Sequence, residues 1–582
     1  MWETLVNSEK FRQRAAGLWF LTCIVIAGSW LHYFTDFEVN RLEWWIYLFD
    51  VVRIERRPPT PYVYAIVILF VVFFIGNILA RLRFKRRDYG DAKRATARDL
   101  KKMELDGADN ITIGQFGKRP IIPKHIRHTM VIAGTRSGKT QGICIPTLNS
   151  YKGSVVVIDP KGELWEKTAG YRSKFSDCYR LEWTAEQTAR YNPISLKVLP
   201  DTPAEIELRA GQIASILAPA GDDYWTKDAQ KVLRALILLE IFDAKHEGRD
   251  ASLENVAHFS GDVSDVDLED YEDENVSPLQ VKLLQAAQRA AERNYPRSCT
   301  TDLGDMANMA PNTRSGVFGT LVAEIQVLKT AAIANAISGC DVNSKMLVEG
   351  ERPVTLYIVV KPKDAAFTSI LTTTLITNFI YDLVSRSDQE AKDQHSVLFL
   401  LEEFSAMKRT AAIGELLDRG AGLGVHAMIV IQSFSQVRKI YSEDDLKTII
   451  NNSDYLVVFA VTDADTQAWL ERLVGKTTRR RESRSEADKG HASSSVSYEG
   501  VPFIMAQEWG EIPFGEHRIL VRYHTTRPIF AKTGFAFKDK AFSKRMQIEP
   551  PAPMPPGAND NAMPTFNVDK ESDINLPAGF RY

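Results

Sequence analysis

Two kinds of hydrophobic pattern divide this chain. Near the N-terminus lie two unbroken apolar stretches, Ala15–Phe34 and Pro61–Ala80, both free of Asp, Glu, Lys and Arg. Each has about 20 residues, the length an α-helix needs to cross a hydrocarbon core, so the pair predicts a transmembrane hairpin. A cleaved leader is a poorer reading of the first stretch, which lacks a small-residue cleavage site and is followed by a second span. Lys10, Arg12 and Arg14 precede the hairpin, and Arg81, Arg83, Lys85, Arg86 and Arg87 follow it. By the positive-inside rule both ends face the cytoplasm and Thr35–Thr60 forms an outer loop, although Arg53, Arg56 and Arg57 within that loop run against the rule.

Beyond Asn110 the pattern changes to short apolar runs separated by helical stretches. Runs at Thr129–Ile132, Ser154–Ile158, Val354–Val360, Val397–Leu401, Ala427–Ile431 and Tyr455–Val461 lack polar alternation. That is the signature of strands covered on both faces, as in a parallel sheet. Between the second and third runs, Pro203–Ser344 reads as helical, with helix-period apolar positions in Ala229–Phe242 and Pro278–Arg293. So long a crossover predicts an inserted all-α domain. The expected division is a membrane hairpin over residues 1–80, an α/β domain over 81–202 and 345–548, the helical insertion over 203–344, and a Pro-rich disordered tail over 549–582. Arg479–Ser497, polar and Ser-rich, reads as a mobile surface loop.

Composition adds little beyond this. A hydrophobic content of 45%, a charged content of 25% and a net charge of −2 describe an ordinary globular body and argue against a generally basic nucleic-acid binder. Local charge is more telling. Arg81–Lys102 holds ten Lys or Arg against three Asp, which suits topology and anionic lipid headgroups, with guidance of nucleic acid as the alternative. Asp262–Glu274 holds eight acidic residues and no basic one, a solvated loop or a docking patch for a basic partner. The five cysteines and ten histidines form no metal-ligand spacing, and the cysteines read as reduced thiols.

The chemistry is carried by Ala133-Gly134-Thr135-Arg136-Ser137-Gly138-Lys139-Thr140, between a predicted strand and a helix. It fits a relaxed Walker A motif with Ala133 in place of the first Gly. In such a loop backbone N–H groups cradle phosphates, Gly138 lets the backbone approach them, Lys139 reaches the β/γ oxygens, and the Thr140 hydroxyl binds Mg²⁺. The substrate expected is ATP. A Walker B strand must be apolar and end in carboxylates, as Val397–Leu401 followed by Glu402 and Glu403 does. Glu402 is then a metal-shell residue and Glu403 the base or water-orienting group, with Glu402 departing from the usual Asp. Gln432, at the tip of the strand expected beside the phosphate-loop strand, is a candidate γ-phosphate sensor. Arg419, in the flexible Gly-rich turn Asp418–Gly424 before that strand, is either a finger for a neighbouring subunit or an ordinary surface residue.

These motifs, in this order behind two spans, resemble the type IV secretion coupling proteins, the TraG/TraD type of conjugation ATPase. The matching stretches are Ala133–Thr140 with Ile145-Pro-Thr-Leu148, Val157–Leu164 (VIDPKGEL), Asp223–Trp225, Thr313–Gly316, Leu398–Phe404 and Gln432-Ser433. The resemblance implies a RecA-like P-loop motor with an all-α domain, assembled as a hexameric ring at the bacterial inner membrane. It implies as partners a relaxase with single-stranded DNA, or protein effectors, and the components of a type IV secretion channel. It supports Lys139 and Thr140 as nucleotide ligands, Glu402 and Glu403 as the carboxylate pair, Gln432 as sensor and Arg419 as a trans finger. Three alternatives stay open on the residues alone: a coupling protein for protein effectors only, a membrane receptor or scaffold that binds nucleotide without turnover, and a double-stranded DNA pump. The long helical insertion disfavours the last.

Overall fold

The computed structural model describes residues 89–553 except 222, 262–276, 393, 487–491 and 524, together with residues 25, 68, 69, 71 and 72. The expected hairpin spans, apart from those five residues, lie outside the described residues, as do the acidic stretch Asp262–Glu274 and the tail beyond Pro553. The chain divides into two compact units, Met1–Asp91 with Lys476–Val501, and Ala92–Gly475 with Pro502–Tyr582.

Thirteen strands form among the described residues. They are β1 (Gly114–Phe116), β2 (Arg119–Ile121), β3 (Thr129–Ile132), β4 (Ser154–Asp159), β5 (Asp177–Leu181), β6 (Val354–Val359) and β7 (Val397–Leu401), then β8 (Val425–Ile431), β9 (Tyr455–Val458), β10 (Lys476–Glu486), β11 (Ala492–Pro502), β12 (Glu516–Val521) and β13 (Thr525–Lys532). Eleven of them make one sheet in the order β2-β1-β13-β12-β9-β3-β8-β7-β4-β6-β5. From β9 to β5 every pairing is parallel. The edge built from β12, β13, β1 and β2 is antiparallel. The six expected strands are all present, with small changes of boundary: β8 begins two residues early, at Val425, and β9 ends at Val458 rather than Val461. Every residue of β3, β4, β6, β7, β8 and β9 is buried, as a sheet covered on both faces requires.

Between β5 and β6 the described residues form helices and no strand. The longest are Pro203–Leu217, Tyr224–Glu247, Pro278–Glu292, Arg297–Asn308 and Pro311–Ile325. Thr202, Asp223 and Ser277 cap three of them by accepting backbone N–H bonds, which satisfies donors that an uncapped first turn leaves orphaned. Their apolar faces merge with one side of the sheet in a single core, where Leu233, Leu303 and Leu321 join Ile158, Leu356 and Phe399. The 20-residue apolar helix Ala365–Val384 is buried in that same core, its Thr373 and Thr374 hydroxyls bonding back to carbonyls one turn earlier.

One expectation is overturned. Arg479–Ser497 was expected as a mobile loop, but the described residues on either side of 487–491 are β10 and β11, which pair with each other. Among the described residues of this two-stranded ribbon none is buried, so its sequence carries no apolar alternation and imitates a loop. Within this unit Asp91 bridges Thr477, and the Tyr89 N–H donates to Thr478 Oγ1 at 3.2 Å.

Candidate nucleotide-binding site

The site is built where the parallel strands end. Strand β3 lies between β9 and β8, and β8 separates it from β7. The register Ile132↔Ile431 continues into the loop, where the Ala133 N–H donates to the Ile431 carbonyl at 2.9 Å. The loop then turns sharply. Arg136 and Gly138 have φ of +60° and +89°, the left-handed region. At Gly138 this is matched by crowding, because an added Cβ would come within 2.7 Å of the Phe535 ring. Only glycine fits there. Lys139 opens the helical turn, Thr140–Cys144 is wound as a π-helix, and Ile145–Ser150 continues as an α-helix. Pro146 accounts for the widened turn, since it has no N–H to give to the carbonyl four residues back and its ring crowds that carbonyl.

Two strand tips, those of β7 and β4, bring acids to this loop. Glu402, directly after β7, is buried and accepts a hydrogen bond from the Thr140 hydroxyl. Burial pushes the Glu402 carboxyl up to about 7, against the Thr140 hydrogen bond and the Lys139 charge, while Asp159 and Glu163 push the same way as burial. Asp159, at the end of β4, is pushed up to about 6 by burial, although it accepts from the backbone N–H groups of Trp165 at 2.9 Å and Lys161 at 3.3 Å. Those bonds fix the start of helix Glu163–Arg172, and the Gln141 amide ties that helix to the phosphate loop by donating to Glu163 Oε1 at 2.7 Å. The DPKGEL stretch is therefore a structural wall of the loop.

Glu403 is half-buried, and its Oε1 accepts from the Ser405 hydroxyl and from Gln436 Nε2 at 3.3 Å. The Gln436 Oε1 in turn accepts from the Gln432 N–H at 2.9 Å. Gln432 lies where it was expected, at the tip of the strand beside β3, and its backbone is joined to Glu403 through Gln436. Sequence reading missed Gln436. The only signal for it was the helical spacing of two glutamines one turn apart.

Arg419 is not brought to this chain's own loop. It is the last residue of helix Ala412–Arg419, with an exposed ion pair to Glu415 at 3.9 Å, rather than part of a flexible turn. It precedes β8, whereas the loop follows the parallel strand β3, so the two lie at opposite ends of the sheet. At about 3.3 Å per residue, the seven residues of β8 separate those ends by roughly 20 Å.

The donor set suits a phosphorylated ligand with a hard divalent cation. Hydroxyl and carboxylate oxygens of Thr140 and Glu402 meet, Gly138 leaves a cradle that a Cβ would disturb, and Ser137 Oγ is buried without a hydrogen-bond partner. Lys139 is half-buried beside them.

Known proteins resemble the chain in both sequence and fold. It is 27% identical to the conjugal transfer protein TraG of Escherichia coli over 482 residues, covering 77% of this chain and 72% of that protein. It is 24% identical over 406 residues to VirD4 of Agrobacterium fabrum, covering 68% of this chain and 57% of the relative. The unbound bacterial conjugative coupling protein TrwB superposes with a TM-score of 0.57 at 14% identity, over 79% of this chain and 96% of that one. TrwB in complex with ADP and Mg²⁺ superposes with a TM-score of 0.55 at 14% identity, over 78% and 94%. Residues 86–553 match the family model for conjugative DNA transfer by the type IV secretory system, and with the phosphate loop and its facing carboxylates in place the chain belongs to that family, the type IV secretion coupling proteins.

Proposed function

We propose that this coupling protein is an ATP-driven motor of the bacterial inner membrane that takes a relaxase–single-stranded DNA complex into a type IV secretion channel. The observation that carries the reading is the meeting of Thr140 and Glu402, 262 residues apart in sequence, with Glu403 next in the chain. The backbone of Gly134, Thr135, Arg136, Ser137 and Gly138 and the Lys139 ammonium would hold the β- and γ-phosphates. Thr140 and Glu402 would hold Mg²⁺, which when bound neutralises phosphate charge. Glu403 would orient the attacking water and accept its proton, Gln432 would register the γ-phosphate, and Arg419 would act on a neighbouring subunit's nucleotide.

The two apolar segments at 15–34 and 61–80 support the membrane anchor, and the family supports a homo-hexamer acting with secretion-channel components. The test is ATP hydrolysis by the full chain in detergent, with and without single-stranded DNA, beside Lys139→Ala. DNA-stimulated turnover that vanishes in the variant is expected. Turnover indifferent to DNA would move the cargo to protein effectors. One feature favours a second reading, a receptor that binds nucleotide without turnover: Glu402, with one methylene more than Asp, is buried and hard to ionise. Tight ADP binding with no hydrolysis under any condition would establish it.

A further inference from the structure

Three phenylalanines from two segments, Phe514 before β12 and Phe535 and Phe537 after β13, form a stack beside the phosphate loop. The Phe514 and Phe535 rings lie 5.2 Å apart at 24°, and the Phe535 and Phe537 rings 5.4 Å apart at 27°. The middle ring is buried, but Phe514 is 73% exposed and Phe537 54% exposed. The stack is held firmly. The Thr533 N–H donates to the Gly515 carbonyl at 2.8 Å, which ties the segment after Phe514 to the segment before Phe535. Thr533 also seats its methyl where a Cβ on Gly142 would be, 2.2 Å away, so the same segment grips the first turn after the loop. Lys538 sits over Phe535 and Phe537 at 5.1 and 5.8 Å from their ring centres.

Rigid aromatic faces left open to water are costly unless something covers them, and their place decides what. The Phe535 and Phe514 rings lie 2.7 and 3.6 Å from where a Cβ on Gly138 would stand. Gly138 is the residue whose backbone must approach the phosphates, so the stack begins where a bound phosphate chain ends. A nucleotide held there by its phosphates has its base within one nucleotide length of the exposed rings, and every base offers a π-face. We infer that the exposed face of Phe514, the outer ring beside Gly138, is the platform on which the base of the bound nucleotide stacks. The inference rests on the reading of Gly134–Thr140 as the phosphate site.

The test separates the base from the phosphates. The full chain in detergent is titrated calorimetrically with ADP and with inorganic tripolyphosphate, which has no base. Wild type, Phe514→Ala, Phe537→Ala, the double variant, Phe514→Tyr and Lys139→Ala are compared. Stacking on one ring is worth enough that Phe514→Ala and the double variant should lose at least about fivefold in ADP affinity, with tripolyphosphate unchanged and Phe514→Tyr close to wild type. Unchanged ADP affinity in the double variant would overturn the platform. So would equal losses for both ligands, which would mean a disturbed loop, or loss of self-association with ADP binding intact, which would make the stack a contact between copies. Lys139→Ala should weaken both ligands; if it weakens neither, the phosphate-site reading fails instead.

Discussion

Gln436 is bonded to Glu403 through its side-chain amide, Nε2 to Oε1 at 3.3 Å, while its Oε1 accepts the backbone N–H of Gln432. One side chain thus joins the second carboxylate after β7 to the tip of β8, the strand against which the phosphate loop is registered. The β8 tip and Glu403 share one bridging side chain. Ser405 completes the arrangement, with its hydroxyl bonded to Glu403 and 3.1 Å from Gln436 Nε2.

Gln436→Ala should therefore slow hydrolysis without weakening nucleotide binding. With Glu403 in its proposed role as general base, an orienting hydrogen bond to it acts in the transition state, so kcat is expected to fall by about tenfold to a hundredfold while ADP affinity stays within about twofold. Steady-state kinetics beside ADP titration reads both. Gln436→Glu, which sets a like charge next to Glu403, should be the slower of the two variants. Equal kcat in Gln436→Ala and wild type would reduce Gln436 to packing.

Glu402 makes a different prediction, because its partner is Thr140. Glu402→Gln keeps an oxygen for the Thr140 hydroxyl and removes the charge. ADP affinity of the wild type should drop when Mg²⁺ is chelated, and that dependence should shrink in Glu402→Gln by about tenfold to a hundredfold in Mg²⁺ affinity, the usual cost of altering a metal's supporting shell. Titrations with and without chelator check it. A variant with undiminished Mg²⁺ dependence would remove Glu402 from the metal shell.

How much of this was legible in the sequence follows from burial. Strands such as Val397–Leu401 were visible because both faces are covered and every position is apolar. Strand β5, Asp177–Leu181, was not, because at the sheet edge only its Leu181 is fully buried. Strands β10 and β11 have no buried residue among those described and read as loop. In the site, Lys139, Thr140 and the two glutamates were legible because their chemistry fixes their spacing from an adjacent strand. Gln436 and the phenylalanine stack were not, since Phe514 and Phe535 meet Gly138 only through the antiparallel edge of β12 and β13. Arg419 looked like part of a flexible turn because glycines follow it, yet the helix before it runs to that residue.

Arg172 is the clearest structural keystone near the site. Its guanidinium is fully buried and bonds Thr355 Oγ1 at 2.7 Å and the carbonyls of Leu148, Tyr151 and Gly153 at 2.9, 2.7 and 2.8 Å. It thereby ties the end of the helix after the phosphate loop to β6. Arg172→Met would bury those acceptors without donors, a loss expected to be about 3–5 kcal/mol. The urea unfolding midpoint should fall accordingly. A midpoint unchanged from wild type would mean that water replaces the guanidinium.

His128, His426 and His517 are buried, and burial lowers their pKa to about 4, about 3 and about 4. The hydrogen bonds fit neutral rings: His128 Nδ1 accepts from the Ala427 N–H at 3.0 Å, which a proton on that nitrogen would prevent. His517 Nε2 donates to the Ile113 carbonyl at 2.9 Å, and Nδ1 faces the Thr533 hydroxyl at 3.1 Å, which can donate to a neutral ring. Unfolded histidine titrates near 6.5, so between pH 6.5 and 4 the unfolded chain binds protons that the folded chain does not. The histidine contribution to stability is thus complete above pH 6.5 and falls as pH drops towards 4, by about 1.4 kcal/mol per pH unit for each histidine, and is offset in part by Glu402 and Asp159, whose raised carboxyls take up protons in the folded chain over the same range. Urea unfolding at pH 7.5 and 5.0 should show the loss, and His517→Gln, which keeps a donor and an acceptor but cannot titrate, should lose less than wild type over the same interval. Equal losses would mean that His517 already carries its proton when folded.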